Sequence, residues 1–312
     1  MENNIIMYDV IIIGGGPAAA GAAVYAARKK LKVLLITGEF GGQSIVSADV
    51  QNWIGTKSLS GLELAKNLET HIRNYQEEVE IKAPELVTKI SKKDGGFLVE
   101  TDRGGVYETR TVIVTSGARR RKLGIPGEKE FDGKGVAYCS TCDAPLFSGK
   151  DVAVVGGGNA GLEAAVDLLP YANKIYLLEY TDTLKGDPVT QEKIKSSGKA
   201  EVIYHAETVR VEGEKFVTGL VYKDRVSGEE KTLSVGGVFV EIGSVPNSEF
   251  IKDLVELNKA GEIVIDHKTS ATSVPGIWAA GDVTDEMYKQ NNISVGDGVK
   301  AALSCYQYLL NK

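Results

Sequence analysis

The chain has 312 residues and a mass of 33.4 kDa, a length that predicts about two domains. Hydrophobic residues make up 43% and charged residues 25% of it, a balance that supports a buried core and excludes wholesale disorder. The net charge of −6 and the lack of a long basic run argue against nucleic-acid binding.

The first candidate element is an uncharged run from Val10 to Ala27. Its length approaches that of a membrane span, but three glycines and Pro17 divide it into a β-branched strand, a turn and an alanine-rich helix. No Lys or Arg precedes the run, so the positive region of a signal peptide is missing. We therefore expect a cytoplasmic protein that does not associate with membranes.

A pair of cysteines follows near the middle of the chain, where Cys139 and Cys142 form Cys-x-x-Cys and precede Asp143. Three cysteines are too few for a disulfide scaffold, and a zinc site would need two more ligands from three scattered histidines and Cys305. We therefore expect redox chemistry and no metal site. Asp143 could protonate a departing thiolate or merely cap a helix. The apolar stretch around Cys305 predicts a core residue.

A second unit then repeats the pattern of the first. The run from Asp9 into Gly14 is echoed by the run from Asp151 into Gly156. Each is followed by an alanine-rich helical stretch and a second apolar strand. Uninterrupted apolar strands are typical of a parallel sheet that is covered on both faces. The sequence therefore predicts an α/β protein with two βαβ dinucleotide-binding units.

The glycines of the two units suit the binding of a pyrophosphate. The first glycine permits a sharp turn, the second a close approach of the backbone, and the third close packing of helix on strand. The pyrophosphate then lies at the helix N-terminus, where free N–H groups favour an anion. The triplets are Gly14, Gly16 and Ala19 in the first unit and Gly156, Gly158 and Gly161 in the second.

The residue after each second strand bears on the choice of nucleotide. Glu179 ends that strand in the second unit, where a carboxylate would bond a ribose 2′-hydroxyl and repel a 2′-phosphate. No arginine stands between Lys174 and Lys193 to receive such a phosphate. The second unit is therefore predicted to bind NADH. In the first unit Thr37 stands at that position, so its ribose contact is less defined.

Two dinucleotide sites and a dithiol in one chain favour an electron relay over two copies of one binding task. Nicotinamide delivers hydride, and a flavin can accept it and then reduce a disulfide. We expect NADH to bind and dissociate at one site and a flavin to stay bound at the other. The dithiol would pass the electrons on to an acceptor.

Further segments complete a pattern that resembles the low-molecular-weight thioredoxin reductases over the whole chain. These segments are Gly41-Gly42-Gln43, Gln51-Asn52-Trp53, Thr115-Ser116-Gly117-Ala118, Phe239-Val240-Glu241-Ile242-Gly243 and Ala279-Ala280-Gly281-Asp282. The resemblance implies FAD contacts from Gly14, Gly16, Pro17, Ala18, Ala19, Gly41, Gln43, Asn52, Gly281, Asp282, Lys289 and Gln290. For NADH we expect contacts from Gly156, Gly158, Asn159, Ala160, Gly161 and Glu179.

The resemblance also implies an architecture in which one Rossmann-like domain is inserted into another. The FAD domain would comprise residues 1–117 and 246–312, and the NAD(H) domain, 118–245, would carry the dithiol. The nicotinamide and the disulfide would then approach the flavin alternately through domain rotation. Cys142 would face the flavin, Cys139 would attack the partner's disulfide, and Asp143 would move the proton. Homodimers are common in this family.

Two departures from the family refine this picture. Its His-Arg-Arg signature for NADPH is replaced by Leu178-Glu179-Tyr180, which is more similar to the NADH-linked flavoprotein component of alkyl hydroperoxide reductase. That component carries N-terminal thioredoxin-like modules, whereas few residues precede the first strand here. We therefore expect the acceptor to be a separate thioredoxin- or glutaredoxin-like protein. The alternatives are a ferredoxin-dependent flavin thioredoxin reductase and a flavin-binding dithiol redox sensor.

Overall fold

The computed structural model describes residues 7–47 and 50–312 and divides into two compact units. One unit is formed by residues 7–46, 50–119 and 245–312, and the other by residues 120–244. No helix within the described residues combines the length and the apolar character that crossing a bilayer requires.

The elements follow in chain order. Up to residue 120 they are β1 (Met7–Ile13), α1 (Pro17–Arg28), β2 (Val33–Ile36), α2 (Gly61–Arg73), β3 (Val79–Lys82), β4 (Val87–Lys93), β5 (Gly96–Thr101), β6 (Val106–Val114) and β7 (Ala118–Arg120). The next stretch contains β8 (Val136–Ala137), α3 (Ser140–Asp143), β9 (Asp151–Val155), α4 (Asn159–Leu168), β10 (Lys174–Leu178), α5 (Pro188–Ser196), β11 (Ala200–Ile203), β12 (Ala206–Gly213), β13 (Val217–Asp224), β14 (Glu230–Ser234) and β15 (Gly237–Val240). The chain ends with β16 (Ser244–Pro246), β17 (Ile277–Ala279) and α6 (Asn291–Leu310). Short 3₁₀ helices cover Gly42–Val46, Ala144–Phe147 and Glu249–Ile251.

The first unit is built on a mixed sheet of order β3-β2-β1-β6-β5-β4, with β17 paired to the end of β6. Strands β1, β2 and β3 run parallel, because the helices α1 and α2 connect them, and β6 also pairs parallel to β1. Strands β4, β5 and β6 form an antiparallel meander. Apart from Met7 at the start of β1, the apolar residues of β1 and β2 are buried. The first predicted βαβ unit is therefore present.

Small residues allow α1 and α6 to pack closely over this sheet. A Cβ at Gly21 would lie 2.5 Å from the carbonyl oxygen of Val295, and one at Gly298 would lie 2.0 Å from that of Ala18. Only glycine tolerates such contacts, since any side chain would force the helices apart. The alanine-rich composition of α1 thus serves helix packing.

The second unit holds a five-stranded parallel sheet of order β11-β10-β9-β15-β8 and a three-stranded antiparallel sheet of order β12-β13-β14. The parallel sheet contains the second predicted βαβ unit, formed by β9, α4 and β10. In such a sheet the carboxyl ends of the strands lie at one edge, where ligands usually bind. The loops that follow β8, β9, β10 and β15 meet there.

Candidate functional site

The loop between β1 and α1 combines a strained turn with open space. Gly14 has a φ of +127°, and a Cβ there would lie 2.3 Å from the carbonyl oxygen of Thr115, so the turn requires glycine. Gly16 has an ordinary φ of −84°, and among the described residues a Cβ would meet only the Cα of Gly42, at 3.8 Å. Nothing in the described chain itself therefore demands glycine at position 16. The glycine leaves room for a ligand in front of α1.

The N-terminus of α1 presents free backbone donors to that space. No described side chain caps the helix, which begins with Pro17 after Gly16. Unpaired N–H groups and the helix dipole make this end favourable for a phosphate. The predicted contacts Ala18 and Ala19 lie in the first turn and are buried. The residues present thus fit the pyrophosphate of a dinucleotide.

Hydrogen bonds join the segment after β2 to the segment after β17 in the same unit. Gln43 donates its amide to the Asp282 carboxylate over 3.2 Å, and Asn52 donates to the side-chain oxygen of Gln290 over 3.3 Å. The Gly41 N–H donates to the carbonyl of Gly15, which ties the first segment to the glycine loop. These contacts bring the predicted FAD residues of both segments together around the start of α1.

Gly281 and Lys289 complete the second segment. A Cβ at Gly281 would lie 3.1 Å from the Cβ of Ala18, which places Gly281 against the first turn of α1. The ammonium of Lys289 forms an ion pair with Glu262 at 3.0 Å and also donates to the carbonyl of Thr284. The Lys289 side chain is therefore already engaged by protein groups.

The loop between β9 and α4 repeats the first glycine loop closely. Gly156 has a φ of +125°, and a Cβ there would lie 2.4 Å from the carbonyl oxygen of Glu241. A Cβ at Gly161 would lie 1.7 Å from the carbonyl oxygen of Gly156, so α4 could not approach the loop with any larger residue. Around Gly158, in contrast, no heavy atom of the described chain lies within 4 Å of a Cβ. Asn159 and Ala160 are exposed at the start of α4. This cradle fits a second pyrophosphate.

Glu179 is held by three donors at the end of β10. The Gly157 N–H donates to one carboxylate oxygen over 2.9 Å, and the N–H and hydroxyl of Thr181 donate to the other over 2.8 and 2.7 Å. Burial acts to raise the pKa of Glu179, but these hydrogen bonds outweigh it and hold the pKa below its usual value. The carboxylate is therefore ionised. The oxygen bonded to Gly157 retains a lone pair for a hydroxyl.

A cavity of about 380 Å³ opens beside Glu179 and Gly156 within the second unit. Its walls include Leu123, Ile125, Tyr180 and Thr208. The mixture of apolar walls and a buried carboxylate suits an aromatic base attached to a ribose.

The fold brings to this place an arginine that sequence reasoning missed. Arg225, from the turn after β13, lies 3.9 Å from the centre of the Tyr180 ring and donates to the Tyr180 carbonyl over 3.1 Å. It lies outside residues 174–193, the segment expected to supply any phosphate-binding arginine. The antiparallel sheet brings the turn after β13 next to Tyr180, so an arginine from a later part of the chain reaches this place. The guanidinium already has partners in Tyr180, while Glu179 and Glu207 are the carboxylates of the cavity wall.

Cys139 and Cys142 form a disulfide with their Cα atoms 5.4 Å apart. Cys139 follows the short strand β8 and precedes α3, and the Asp143 N–H donates to its carbonyl over 3.0 Å. Both cysteines are half-buried, so each can be reached once the disulfide opens. The hydrogen bond closes a single turn, which explains how a pair with this spacing can join.

Asp143 has an environment suited to proton transfer. Burial raises its pKa to about 6, with Asp132 acting in the same direction and Arg120 opposing them. A carboxyl group with such a pKa is part protonated near neutral pH and can exchange a proton with a neighbouring sulfur.

Two further carboxylates that sequence reasoning missed lie beside the dithiol. Asp167 on α4 accepts hydrogen bonds from the hydroxyls of Ser140 and Thr141, the two residues between the cysteines, over 2.8 and 3.2 Å. Glu241 follows β15, and the N–H of Ser140 faces its carboxylate. The sequence could have indicated Glu241 as a site residue, because it directly follows an apolar strand and therefore places a charge at the carboxyl edge of the sheet.

Cys305 lies apart from these groups, in the first unit. It is fully buried, and its sulfur is 3.1 Å from the hydroxyl of Thr111. Burial raises the pKa of its thiol to about 12. The prediction of a core cysteine is confirmed. Within residues 7–47 and 50–312 no three His, Cys, Asp or Glu side chains cluster as a metal site would require.

Comparison with known proteins now decides the family. The model of the pyridine nucleotide-disulphide oxidoreductases matches residues 8–298. The chain belongs to this family. A thioredoxin reductase from Streptococcus pyogenes superposes with a TM-score of 0.89 at 34% identity, covering 98% of this chain and 99% of that one. A thioredoxin reductase from Giardia duodenalis gives 0.88 at 31% identity, covering 97% and 99%. The prediction of two dinucleotide-binding domains in an α/β fold is confirmed.

The curated relatives that match the chain are longer than it is. The chain is 45% identical over 303 residues to a protein named NADH dehydrogenase from Bacillus subtilis, and 46% identical to a Staphylococcus aureus component of alkyl hydroperoxide reductase. These alignments cover 97% of this chain but 59% of the relatives, so it spans about three fifths of their length. The chain thus belongs to a family of oxidoreductases and has the fold of the solved thioredoxin reductases.

Proposed function

We propose that the protein is an NADH-dependent, FAD-containing disulfide reductase whose Cys139–Cys142 pair reduces a thioredoxin- or glutaredoxin-like acceptor. The observation that carries the proposal is the placement of this disulfide in the same compact unit as a glycine loop with an ionised, buried Glu179. A second glycine loop occupies the other unit. A chain that stored or sensed thiols would need no such pair of nucleotide cradles.

FAD is proposed to bind the first unit, which corresponds to the FAD domain expected at residues 1–117 and 246–312. Gly16 and the free N–H groups of α1 would receive its pyrophosphate, and Gln43, Asn52, Asp282 and Gln290 would hold the remainder. Bound FAD supplies two-electron exchange between a dihydronicotinamide and a disulfide, which no amino-acid side chain offers.

NADH is proposed to bind the second unit, which corresponds to the NAD(H) domain expected at residues 118–245. Gly158 leaves space for the pyrophosphate and Glu179 accepts from the ribose 2′-hydroxyl. A 2′-phosphate would be placed against an ionised carboxylate in a partly enclosed cavity, where like charges repel strongly. We therefore expect NADH to be preferred over NADPH.

The dithiol residues have separate proposed roles. Cys139 attacks the disulfide of the acceptor and forms a mixed disulfide, which Cys142 then resolves. Asp143 gives a proton to the departing thiolate and regains it later, a role that fits its raised pKa. Asp167 holds Ser140 and Thr141 between the cysteines, so that the turn keeps its shape when the S–S bond opens.

The acceptor class follows from the relatives and from the dithiol. The solved neighbours are thioredoxin reductases, and the curated relatives include a component of alkyl hydroperoxide reductase. Thioredoxin-like domains carry accessible disulfides that a Cys-x-x-Cys thiolate can attack. We also propose a cytoplasmic location and, as the family resemblance implies, a homodimer.

The test uses the FAD-loaded chain, mixed anaerobically with NADH in the presence of oxidised thioredoxin or glutaredoxin. We expect the flavin absorbance to bleach and free thiols to form on the acceptor. Cys139→Ser, with Cys305→Ser as the matched control, should abolish acceptor reduction while NADH still bleaches the flavin. Bleaching only by reduced ferredoxin would overturn the NADH assignment, and bleaching without any acceptor reduction would overturn the reductase assignment.

A further inference from the structure

Glu241 lies between the dithiol and the nucleotide loop at the carboxyl edge of the five-stranded sheet. Its strand, β15, is flanked by β8 and β9. The register pairs Phe239 with Ala137 on β8 and Val240 with Val155 on β9. Two residues beyond Ala137 the chain reaches Cys139, and one beyond Val155 it reaches Gly156.

Backbone contacts fix this position on both sides. The Glu241 N–H donates to the carbonyl of Val155 over 2.9 Å, and its own carbonyl faces the Cα of Gly156. Towards the dithiol, the N–H of Ser140 faces the Glu241 carboxylate. Glu241 therefore adjoins both parts of the proposed site, and its carboxylate is directed to the turn that joins the two cysteines.

The charges that act on this carboxylate come from two elements. Arg120 of β7 is the attractive charge, whereas Glu163 and Asp167 of α4 are repulsive. The same Arg120 also acts on Asp143 of α3, so one cation serves two carboxyl groups. Burial raises the pKa of Glu241 to about 7, with Arg120 opposing this effect. Near neutral pH Glu241 is therefore divided between its two protonation states.

Glu241 faces the turn that joins the two cysteines, so a negative charge formed on either sulfur would raise the pKa of Glu241 further, because like charges repel at short range. Opening the disulfide produces such a charge, since one of the two sulfurs in a Cys-x-x-Cys pair commonly remains a thiolate near neutral pH. The two sites then share a proton and titrate as a pair.

We propose that Glu241 takes up a proton when the Cys139–Cys142 disulfide is reduced, and thereby sets how the dithiol couple depends on pH. In the step the S–S bond breaks and two electrons pass from the reductant to the sulfurs. One proton goes to one sulfur, the other sulfur stays a thiolate, and the second proton goes to Glu241. Glu241 thus acts through the dithiol, by holding a proton near the thiolate, and makes no contact with the acceptor.

This inference rests on the proposed function only in that the disulfide must be reversibly reducible. Its test therefore needs neither nucleotide nor acceptor. The chain is equilibrated with reduced and oxidised dithiothreitol between about pH 7 and 8, and the reduced fraction of the cysteine pair is read by thiol alkylation and mass spectrometry. The variants are Glu241→Gln, which keeps an oxygen acceptor, and Glu241→Asp, which keeps a titrating group.

In the wild type we expect the equilibrium constant for reduction to stay nearly level, changing about twofold over this range, because dithiothreitol releases two protons and the protein takes up nearly two, one of them on the ionised fraction of Glu241. In Glu241→Gln the protein takes up one, so the constant should rise about tenfold per pH unit. Glu241→Asp should restore most of the level profile. The matched control Glu201→Gln, on β11 at the far edge of the same sheet and paired with Lys174, should follow the wild type.

Parallel profiles in the wild type and Glu241→Gln would overturn the inference while leaving the reductase assignment intact. A cysteine pair that dithiothreitol cannot reduce and reoxidise would instead overturn the proposed function. An equilibrium constant that also rises about tenfold per pH unit in Glu241→Asp would show that the size of the Glu241 side chain matters and the titration of its carboxyl group does not. This result would also contradict the inference.

Discussion

Gly157 donates its backbone N–H to the Glu179 carboxylate over 2.9 Å, and a Cβ at Gly157 would lie 2.4 Å from that same oxygen. The glycine loop and the acidic residue are therefore one structure, although 22 positions separate them in the chain. The middle residue of the loop must be glycine to let the carboxylate approach. The carboxylate in turn holds the loop in the shape that leaves open space at Gly158.

The first prediction concerns nucleotide choice. Replacing Glu179 by alanine removes the acceptor for a ribose hydroxyl and the charge that opposes a 2′-phosphate. We expect kcat/KM for NADH to fall at least about tenfold and the preference over NADPH to shrink by about 10- to 100-fold, as loss of a charged hydrogen bond implies. Steady-state rates with both nucleotides provide the measurement.

Two matched variants limit the interpretation. Glu207→Ala removes another carboxylate from the same cavity wall and should leave the preference unchanged. Arg225→Ala tests whether the arginine stacked on Tyr180 binds a phosphate instead. A wild-type enzyme that prefers NADPH and loses that preference in Arg225→Ala would refute the role assigned to Glu179.

The second prediction compares the same substitution at two glycines of one loop. Gly158→Ala meets no described heavy atom within 4 Å, whereas Gly161→Ala would place a Cβ 1.7 Å from the Gly156 carbonyl oxygen. We expect Gly158→Ala to keep the wild-type melting temperature and to lose NADH affinity by tenfold or more. Gly161→Ala should destabilise the fold by about 3 kcal/mol. Thermal melts and nucleotide titrations separate the two effects, and a Gly158→Ala chain that binds NADH normally would contradict the assigned phosphate position.

The parts of this site that sequence predicted are those that lie close together along the chain. Gly14 and Gly156 could be identified because a sharp turn after an apolar strand demands glycine at a fixed offset. Cys139 and Cys142 could be identified because three residues of spacing are enough to close a disulfide. Strand order and the helix contact between Gly21 and Val295 depend on residues far apart in sequence, and no local pattern encodes them.

Three polar residues could not be assigned to the site from the sequence alone. Asp167 is half-buried on α4 and meets Ser140 only because the fold packs this helix against the dithiol turn. Glu241 reaches the dithiol turn only through the order of β8, β15 and β9. Arg225 reaches Tyr180 through a turn in a separate sheet. Each contact is a consequence of topology, so a single sequence without its fold could not reveal it.

The third prediction concerns the pH dependence of acceptor reduction. Asp143 has a pKa near 6, so its acid form is present below that pH and is lost as the pH rises through it. Reduction of the acceptor should therefore slow above about pH 6, and Asp143→Asn should be slower by 10²-fold or more and lack this limb. Rates of acceptor reduction across pH provide the check. A retained limb in Asp143→Asn would assign it to another group.

Folding stability supplies an independent measure of the same carboxyl group. Because the pKa of Asp143 is raised in the folded state, its contribution to stability is complete below the unfolded value and is lost as the pH rises through about 6. Asp143→Asn should remove this loss, so its melting temperature should change less than that of the wild type between pH 5 and pH 8. An unchanged difference between the two pH values would show that the carboxyl is not disfavoured as an ion.

The fourth prediction concerns the anchor of the dithiol turn. Asp167→Asn weakens the hydrogen bonds from the hydroxyls of Ser140 and Thr141, which we expect to destabilise the second unit by about 1–2 kcal/mol. The reactivity of Cys139 towards an alkylating probe should rise in the reduced chain, because the turn loses a negative neighbour and its rigid support. Glu163→Gln, on the same helix, serves as the control for charge alone. Equal reactivity of Cys139 in Asp167→Asn and in the wild type would show that Asp167 does not hold the dithiol turn.

The most direct test of the central claim is a thiol count on the FAD-loaded chain after anaerobic addition of NADH alone. The account predicts that two thiols appear per chain at Cys139 and Cys142, and that Cys305 contributes the same buried thiol before and after. A chain that takes up no FAD, or that consumes NADH without opening this disulfide, would contradict it.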